Sequence, residues 1–290
     1  MISVFFYRLI FGWFIVDEIR KSCYLIYYQE FRKNKEFDMH QASVIALTGK
    51  GGVGKTSLSA AIVRVLTEAH PEAKILAIDA DPAIGLSVAL GVEVKETLDE
   101  IRLRVAKDVT EGLQDTQDIL AEAKFRIFEA MQEQKGFAFL AIGRPEAAGC
   151  YCAINTYLRQ VISLLVNEFD YVVIDGEAGI EQINRRVMEK VTHLLCVSDQ
   201  SRKGIQIIST IKEVSDKLAS ADKVGAVLNR VLLPERITET EIGGVPLIAV
   251  IPPDPAHAEN DIEGKSVFDL PDDSTILAGA RKILQKMGLL

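Results

Sequence analysis

The apolar positions fall into short, nearly uninterrupted runs rich in Val, Ile and Leu: Val44–Leu47, Lys74–Ile78, Phe137–Ile142, Asp170–Ile174, His193–Val197, Val224–Leu228 and Val245–Ile251. Runs of that length without polar alternation suit strands buried on both faces, as in a parallel sheet covered by helices. Between the runs the apolar period changes. Leu58, Ile62, Val65 and Leu66 recur at helical spacing within Ser57–Glu68, and Pro71 stops the pattern. Helical patterns are also expected over Leu86–Leu90, Thr97–Ala106, Gly112–Gln134, Ile154–Val166, a segment ending at Leu218, and Thr275–Leu289. Lys, Glu and Gln dominate the exposed positions of 86–134, which reads as a solvated face. The alternation predicts an α/β fold, a mostly parallel β-sheet flanked by helices, in one domain over residues 39–290.

Residues 1–38 break this rhythm. Ser3–Val16 is apolar and aromatic, but Arg8 interrupts it and it falls short of the ~20 residues needed to span a bilayer. It lacks the basic start and small-residue cleavage site of a secretory signal. Tyr24–Tyr28 is a second aromatic cluster, and mixed charge from Arg32 to Asp38 leads to Met39. We read 1–38 as an upstream extension of the reading frame, outside the natural protein; a membrane-surface helix and a packed extension are the alternatives.

Composition narrows the function classes. The 290 residues, 48% hydrophobic and 26% charged, can bury a sizeable core. A net charge of −8 disfavours nonspecific binding to nucleic acid or an anionic membrane. Cys23, Cys150, Cys152 and Cys196 supply no disulfide framework, and the expectation is a reducing cytoplasm.

The first run leads straight into chemistry. Val44–Leu47 and Thr48 end at Gly49-Lys50-Gly51-Gly52-Val53-Gly54-Lys55-Thr56, a complete G-x-x-x-x-G-K-[ST] phosphate-binding loop with a strand before it and a helix after it. Glycines let the backbone wrap a phosphate, and free N–H groups at the following helix start supply positive potential. Lys55 would reach the terminal phosphates, and Thr56 would bind Mg²⁺; Ser57 completes the nucleotide-binding stretch. Further strand ends carry acids. Lys74–Ile78 delivers Asp79-Ala80-Asp81-Pro82, and Asp170–Ile174 delivers Asp175-Gly176-Glu177-Ala178-Gly179. Ligands of open parallel sheets sit beyond the strand C-termini, so both acidic stretches face the nucleotide.

A lysine directly after the first glycine, Lys50, is not needed to cradle phosphate within one chain. With it the loop resembles the deviant Walker A motif of the MinD/ParA/NifH superfamily of nucleotide-gated dimers. The resemblance implies a homodimer in which Lys50 crosses to the partner's nucleotide. It also implies that Asp81 orients the attacking water and that Asp175 holds Mg²⁺ through water. Asp79 would be structural or lie near Mg²⁺, and the Gly179 N–H would sense the γ-phosphate. Asn229 would read the adenine edge, with Pro252 and Asp254 lining the other side of the base. Where families often carry Asn after the proline, this chain has Gly85. Ser198-Asp199-Gln200-Ser201-Arg202-Lys203-Gly204 resembles a loop of the superfamily to which we assign no chemistry. His193 is expected at the surface or strand start, and Cys196 in the core.

The remaining motif is Cys150-Tyr151-Cys152, between a Gly/Pro loop and a helix start. Helix N-termini stabilise thiolates, so the pair is expected to be reactive or metal-binding. Two sulfurs leave a soft-metal site half built, and two facing chains would supply four. A disulfide between them would close a strained small ring. Gly143-Arg144-Pro145-Glu146-Ala147-Ala148-Gly149-Cys150-Tyr151-Cys152 is similar to the hallmark of CooC-type ATPases, which mature the nickel enzyme carbon monoxide dehydrogenase. That resemblance implies Ni²⁺ or Zn²⁺ shared by Cys150 and Cys152 across the dimer, ATP and Mg²⁺ as cofactors, and an apo nickel enzyme as partner. It implies neither nucleic-acid binding nor stable membrane insertion. The alternative is a MinD/ParA-like positioning ATPase acting on membrane or DNA. Packing on the sheet, not membrane binding, is expected of the terminal helix.

Overall fold

The computed structural model describes residues 42–111, 125–143, 161–176, 191–218 and 221–290. Their strands form a sheet in the order β3-β4-β2-β5-β1-β6-β7-β9-β8. These are β1 (Ser43–Gly49), β2 (Ile75–Asp79), β3 (Gln132–Gln134), β4 (Phe137–Ala141), β5 (Tyr171–Asp175), β6 (Val191–Ser198), β7 (Ala221–Asn229), β8 (Glu241–Ile242) and β9 (Val245–Ile251). Every pairing is parallel except β3 with β4 and β8 with β9, the two edges.

The uninterrupted apolar runs are explained by burial on both faces. Val44 and Ala46 of β1 point into one core layer, with Ile101 and Val105 of α3 (Leu98–Glu111) and Ile208 and Ile211 of α4 (Arg202–Leu218). Ile45 and Leu47 point into the other, with α1 (Lys55–Ala69) and α6 (Thr275–Met287). Each fully buried Leu or Ile contributes roughly 2 kcal/mol through removal of its surface from water. All residues from Leu58 to Leu66 of α1 are buried, so this helix is no amphipathic surface element. The sheet covers one side and α6 the other. α6 itself buries Ile276, Leu277, Ala280, Ile283, Leu284 and Met287. Its apolar stripe is therefore spent inside the domain, as the sequence reading expected.

Three details depart from the sequence pattern. Gln132–Gln134, expected to end a long helix, is β3, which turns through Lys135 and Gly136 (φ 91) into β4. A polar strand is tolerable at a sheet edge, and the hairpin with β4 outweighs the local helical composition. A helix α5 (Pro255–Ile262) follows β9. Its signal was present in Asp254-Pro255, a capping acid followed by proline in the first turn. His193 is not at the surface: it is 6% exposed, and Nδ1 lies 2.8 Å from Thr192 Oγ1. Burial and then the Lys223 ammonium hold its pKa below the usual imidazole range. Cys196 behaves as expected of a core thiol, fully buried with a pKa pushed up to about 12.

Arg64 of α1 ties the C-terminal segment to this frame. Its Nη1 donates to the carbonyls of Val267 (2.9 Å) and Leu270 (2.7 Å), Nη2 pairs with Asp272 and Nε with Glu68. Arg64 is 5% exposed. Arg64→Met keeps the stem but strands two carbonyls, and should cost about 3 kcal/mol. A lower urea midpoint with an unchanged slope checks this; an unchanged midpoint would contradict it.

Candidate functional site

The phosphate loop begins where β1 runs against β6. Gly49 has φ 138, and a Cβ there would lie 2.0 Å from the Val197 carbonyl oxygen. Only glycine permits that approach, and Lys50 N then donates to the same oxygen at 3.2 Å. Gly54, at φ 86, precedes the first turn of α1, which has no side-chain cap. The first N–H groups of α1 thus face the loop, with the positive end of the helix behind them. Lys55 is nearly buried, and its ammonium donates to the Lys50 carbonyl at 3.2 Å.

Lys50 turns toward its own chain. Its ammonium is paired with Asp199 and lies 3.3 Å from Ser201 Oγ. Burial works against ionisation of Asp199, but the hydrogen bonds from Lys50 and Ser201 hold the carboxyl below its usual range. The loop after β6, to which no chemistry was assigned from sequence, therefore holds the lysine that distinguishes this phosphate loop.

Parallel pairing sets two carboxylates side by side. Asp79 ends β2 and Asp175 ends β5; they are register partners, and Asp175 also stands opposite Leu47 of β1. Asp175 Oδ1 accepts from Ser59 Oγ at 2.9 Å, and the Thr56 hydroxyl also bonds to this carboxyl. Oδ2 is buried without a partner. A hydroxyl and an unpartnered carboxylate oxygen beside Lys55 fit Mg²⁺, a hard ion that takes few protein oxygens and keeps its waters. Ser59 was not singled out from sequence, although its place three residues after Thr56 puts it on the same face of α1.

Asp79 grips the turn that follows it. Oδ1 accepts from Asp81 N at 3.1 Å and Oδ2 from Leu86 N at 2.8 Å. Within the turn, Asp81 Oδ1 accepts from Ala83 N at 2.8 Å, and Ile84 sits at φ 52, a strained conformation for a β-branched residue. Gly85 opens α2 (Gly85–Leu90), and a Cβ there would make only an ordinary contact, 3.5 Å from Thr56 Cγ2.

A cavity of about 420 Å³ lies beyond the ends of β7 and β9, lined in part by Ser57, Asn229, Arg230, Pro252, Asp254 and His257. Asn229 is 4% exposed, and its Nδ2 donates to Val53 O at 2.8 Å. One amide hydrogen of Asn229 is therefore committed to the phosphate loop. Arg230, at φ 58, sends Nη1 toward Gly52 O at 3.3 Å. The Asp254 carboxylate accepts from His257 N (3.0 Å), Ile276 N (2.9 Å) and Ser274 Oγ (2.5 Å). It lines the cavity while being committed to backbone and hydroxyl donors.

Cys150, Cys152 and Gly179 lie outside the described residues. Among the described residues no group of three or more His, Cys, Asp or Glu side chains could hold a metal ion, and no helix is long and apolar enough to cross a membrane.

The paired acids set a pH dependence. Burial, then the neighbouring Asp175, raises Asp79 from 3.8 to about 7; burial raises Asp175 to about 6 against the Thr56 and Ser59 hydroxyls. In the unfolded chain both carboxyls ionise near the ordinary value, so the native state holds more protons between about pH 4 and 7. Stability of the nucleotide-free protein should fall as pH rises through that window. Asp79→Asn should flatten the dependence, read as melting temperature against pH in EDTA; an equally steep Asp79→Asn curve would contradict this origin.

The CbiA family, described as the CobQ/CobB/MinD/ParA nucleotide binding domain, matches residues 44–267. An uncharacterized ATP-binding protein of Methanocaldococcus jannaschii is 33% identical over 252 residues, covering 84% of this chain and 98% of its own length. The carbon monoxide dehydrogenase accessory protein CooC of Rhodospirillum rubrum is 30% identical over 251 residues, covering 78% and 89%. Among solved structures, the septum site-determining protein MinD of Pyrococcus horikoshii, complexed with Mg-ADP, is similar with a TM-score of 0.62 at 24% identity, over 85% of this chain and 96% of that one. The chain belongs to the CobQ/CobB/MinD/ParA nucleotide-binding family and is a P-loop ATPase.

Proposed function

We propose that this ATPase couples Mg²⁺-ATP-driven homodimerisation to the binding of nickel and its insertion into apo carbon monoxide dehydrogenase or a related nickel enzyme. The observation that carries the reading is the ten-residue stretch from Gly143 to Cys152, Gly-Arg-Pro-Glu-Ala-Ala-Gly-Cys-Tyr-Cys, in a chain 30% identical to a carbon monoxide dehydrogenase accessory protein. Acting in the cytoplasm, two chains would each contribute Cys150 and Cys152 to a four-sulfur site that accepts Ni²⁺ or Zn²⁺ as cargo.

In this reading the loop and the strand ends divide the work of ATP turnover. Thr56 and Asp175 would hold Mg²⁺, Asp175 through water, and Mg²⁺ would screen the charge between the phosphates. Lys55 would leave the Lys50 carbonyl for the terminal phosphates. Residues Gly49 to Ser57 would wrap the phosphates, and Gly179 would contact the γ-phosphate. Asn229, Pro252 and Asp254 would border the adenine. Asp81 would orient the attacking water from a turn that Asp79 holds. Phosphoryl transfer of this kind relies on position and charge more than on a strong base. Lys50 would exchange Asp199 for the partner's phosphates, so dimerisation is coupled to breaking an ion pair within each chain. Hydrolysis would return Lys50 to Asp199 and loosen the dimer, releasing the metal.

A second reading draws on the MinD relatives, among them the Thermotoga maritima protein at 25% identity over 219 residues. A positioning ATPase would hydrolyse ATP faster with lipid or DNA and would not need the cysteines.

Removing both thiols with Cys150→Ala/Cys152→Ala should abolish Ni²⁺ binding by the ATP-bound dimer and leave ATP binding intact. Equal nickel stoichiometry in variant and parent would end the metal proposal. Lys55→Ala should lower ATP turnover by about a hundredfold or more, given the charge it brings to the phosphates. Lys50→Ala should leave the protein monomeric with ATP on gel filtration; a dimer of normal ATP dependence would remove Lys50 from the interface.

A further inference from the structure

The base cavity has one wall that the hydrophobic core does not hold. α5 contributes His257, Ala258, Asp261 and Ile262 to the lining, yet none of its residues is buried, and Ile262 is 88% exposed. An eight-residue helix without an apolar face has little tendency to persist or stay in place by itself. The opposite wall is different. α6 carries Ile276 at the cavity and is anchored in the core along its whole length by Leu277, Ala280, Ile283 and Leu284.

Asp254 joins the two. One carboxylate oxygen caps α5 by accepting from His257 N; the other accepts from Ser274 Oγ and Ile276 N at the start of α6. One short side chain therefore serves two helix N-termini, both of which favour a negative charge. At the far end of α5, Asn260 Nδ2 donates to Ser266 O at 2.7 Å, so the helix hangs between polar ties at both ends. Pro252, Pro253 and Pro255 stiffen the backbone around the junction. With its two oxygens engaged by three donors, the carboxylate has little capacity left to read a base directly.

We propose that Asp254 is a positioning residue: it fixes α5 as the outer wall of the base cavity by fastening it to α6, and it sets affinity and base selectivity without itself pairing with the base. The inference rests on the reading of this cavity as the place of the adenine. Hydrolysis occurs at the far end of the nucleotide, at the phosphate loop. Loosening the wall therefore weakens ground-state binding of the base and leaves the reacting phosphates in place once ATP is saturating. Guanine and adenine also become less distinct in a cavity whose width is no longer defined.

The test is steady-state ATPase kinetics with ATP and GTP, alongside melting temperature. Asp254→Ala should raise KM for ATP about tenfold, the scale of a lost helix cap, lower kcat by about twofold or less, and narrow the preference for ATP over GTP. Asp254→Asn, which can still cap α5 but opposes the Ile276 N–H with an amide, should recover part of the KM. Should Asp254→Ala fail to fold, Ser274→Ala removes one of the three bonds and should give a smaller KM rise with the same loss of selectivity. A fall in melting temperature with KM and selectivity unchanged would reduce Asp254 to a structural cap. A fall in kcat at unchanged KM would place it in the chemistry; either result overturns the proposal. Ala258→Phe, which fills the cavity, separates the two levels. If it leaves KM for ATP unchanged, the cavity is not the base site and the proposal falls with that reading. If it raises KM while Asp254→Ala does not, the cavity reading stands and the proposal alone fails.

Discussion

The approach of Gly49 to the Val197 carbonyl is the constraint on which the functional face depends. β1 and β6 are adjacent parallel strands, and β1 ends where a side chain would collide with its neighbour. Because glycine allows the close pass, the chain bends into the loop at the end of the central strand, and α1 starts with its N–H groups toward the sheet's C-terminal edge. Every other group at the site is placed relative to that bend. Lys50 emerges beside the loop after β6, where Asp199 receives it. Thr56 and Ser59, a turn further on, meet the carboxylate at the end of β5.

Regular strand pairing concentrates negative charge at the same edge. Asp79 and Asp175 end neighbouring strands in register, so the two cannot both ionise without repelling each other in a poorly solvated space. The fold tolerates the pair because each carboxylate has donors. Asp79 holds the N–H groups of Asp81 and Leu86, and Asp175 takes hydroxyls from α1. Asp175 Oδ2 is left without a hydrogen-bond partner, and the turn that Asp79 holds carries the strained Ile84.

The C-terminal segment is fastened to this frame by polar contacts at a few residues. Arg64 draws the carbonyls of Val267 and Leu270 onto α1, and Asp254 joins the start of α6 to α5. α1 thus starts at the phosphate loop and, through Arg64, anchors the segment leading to the cavity. The phosphate loop and the cavity share one helix as their reference, and α5 remains the part of the cavity with the least apolar support.

Much of this was legible in the chain. The buried strands showed as unbroken Val/Ile/Leu runs, because a sheet covered on both faces leaves no position for a polar alternate. The phosphate loop showed because glycines, lysine and threonine at fixed spacing answer to the shape of a phosphate, which is local. Helix α5 is signalled by Asp254-Pro255 alone, because it carries no apolar stripe that periodicity could show. What the sequence could not display were partnerships between distant residues. Lys50 with Asp199, Asp175 with Ser59, Asn229 with Val53, and Asp254 with Ser274 and Ile276 arise when strand order and register bring loop ends together. Nor could it place Gln132–Gln134 in a strand, since a helical composition there yields to an edge hairpin. The sequence by itself determined the sheet, the nucleotide loop and the chemistry of the ligand. Tertiary structure alone decided which donors and charges face one another, because register and crossover set the distances between residues far apart in the chain.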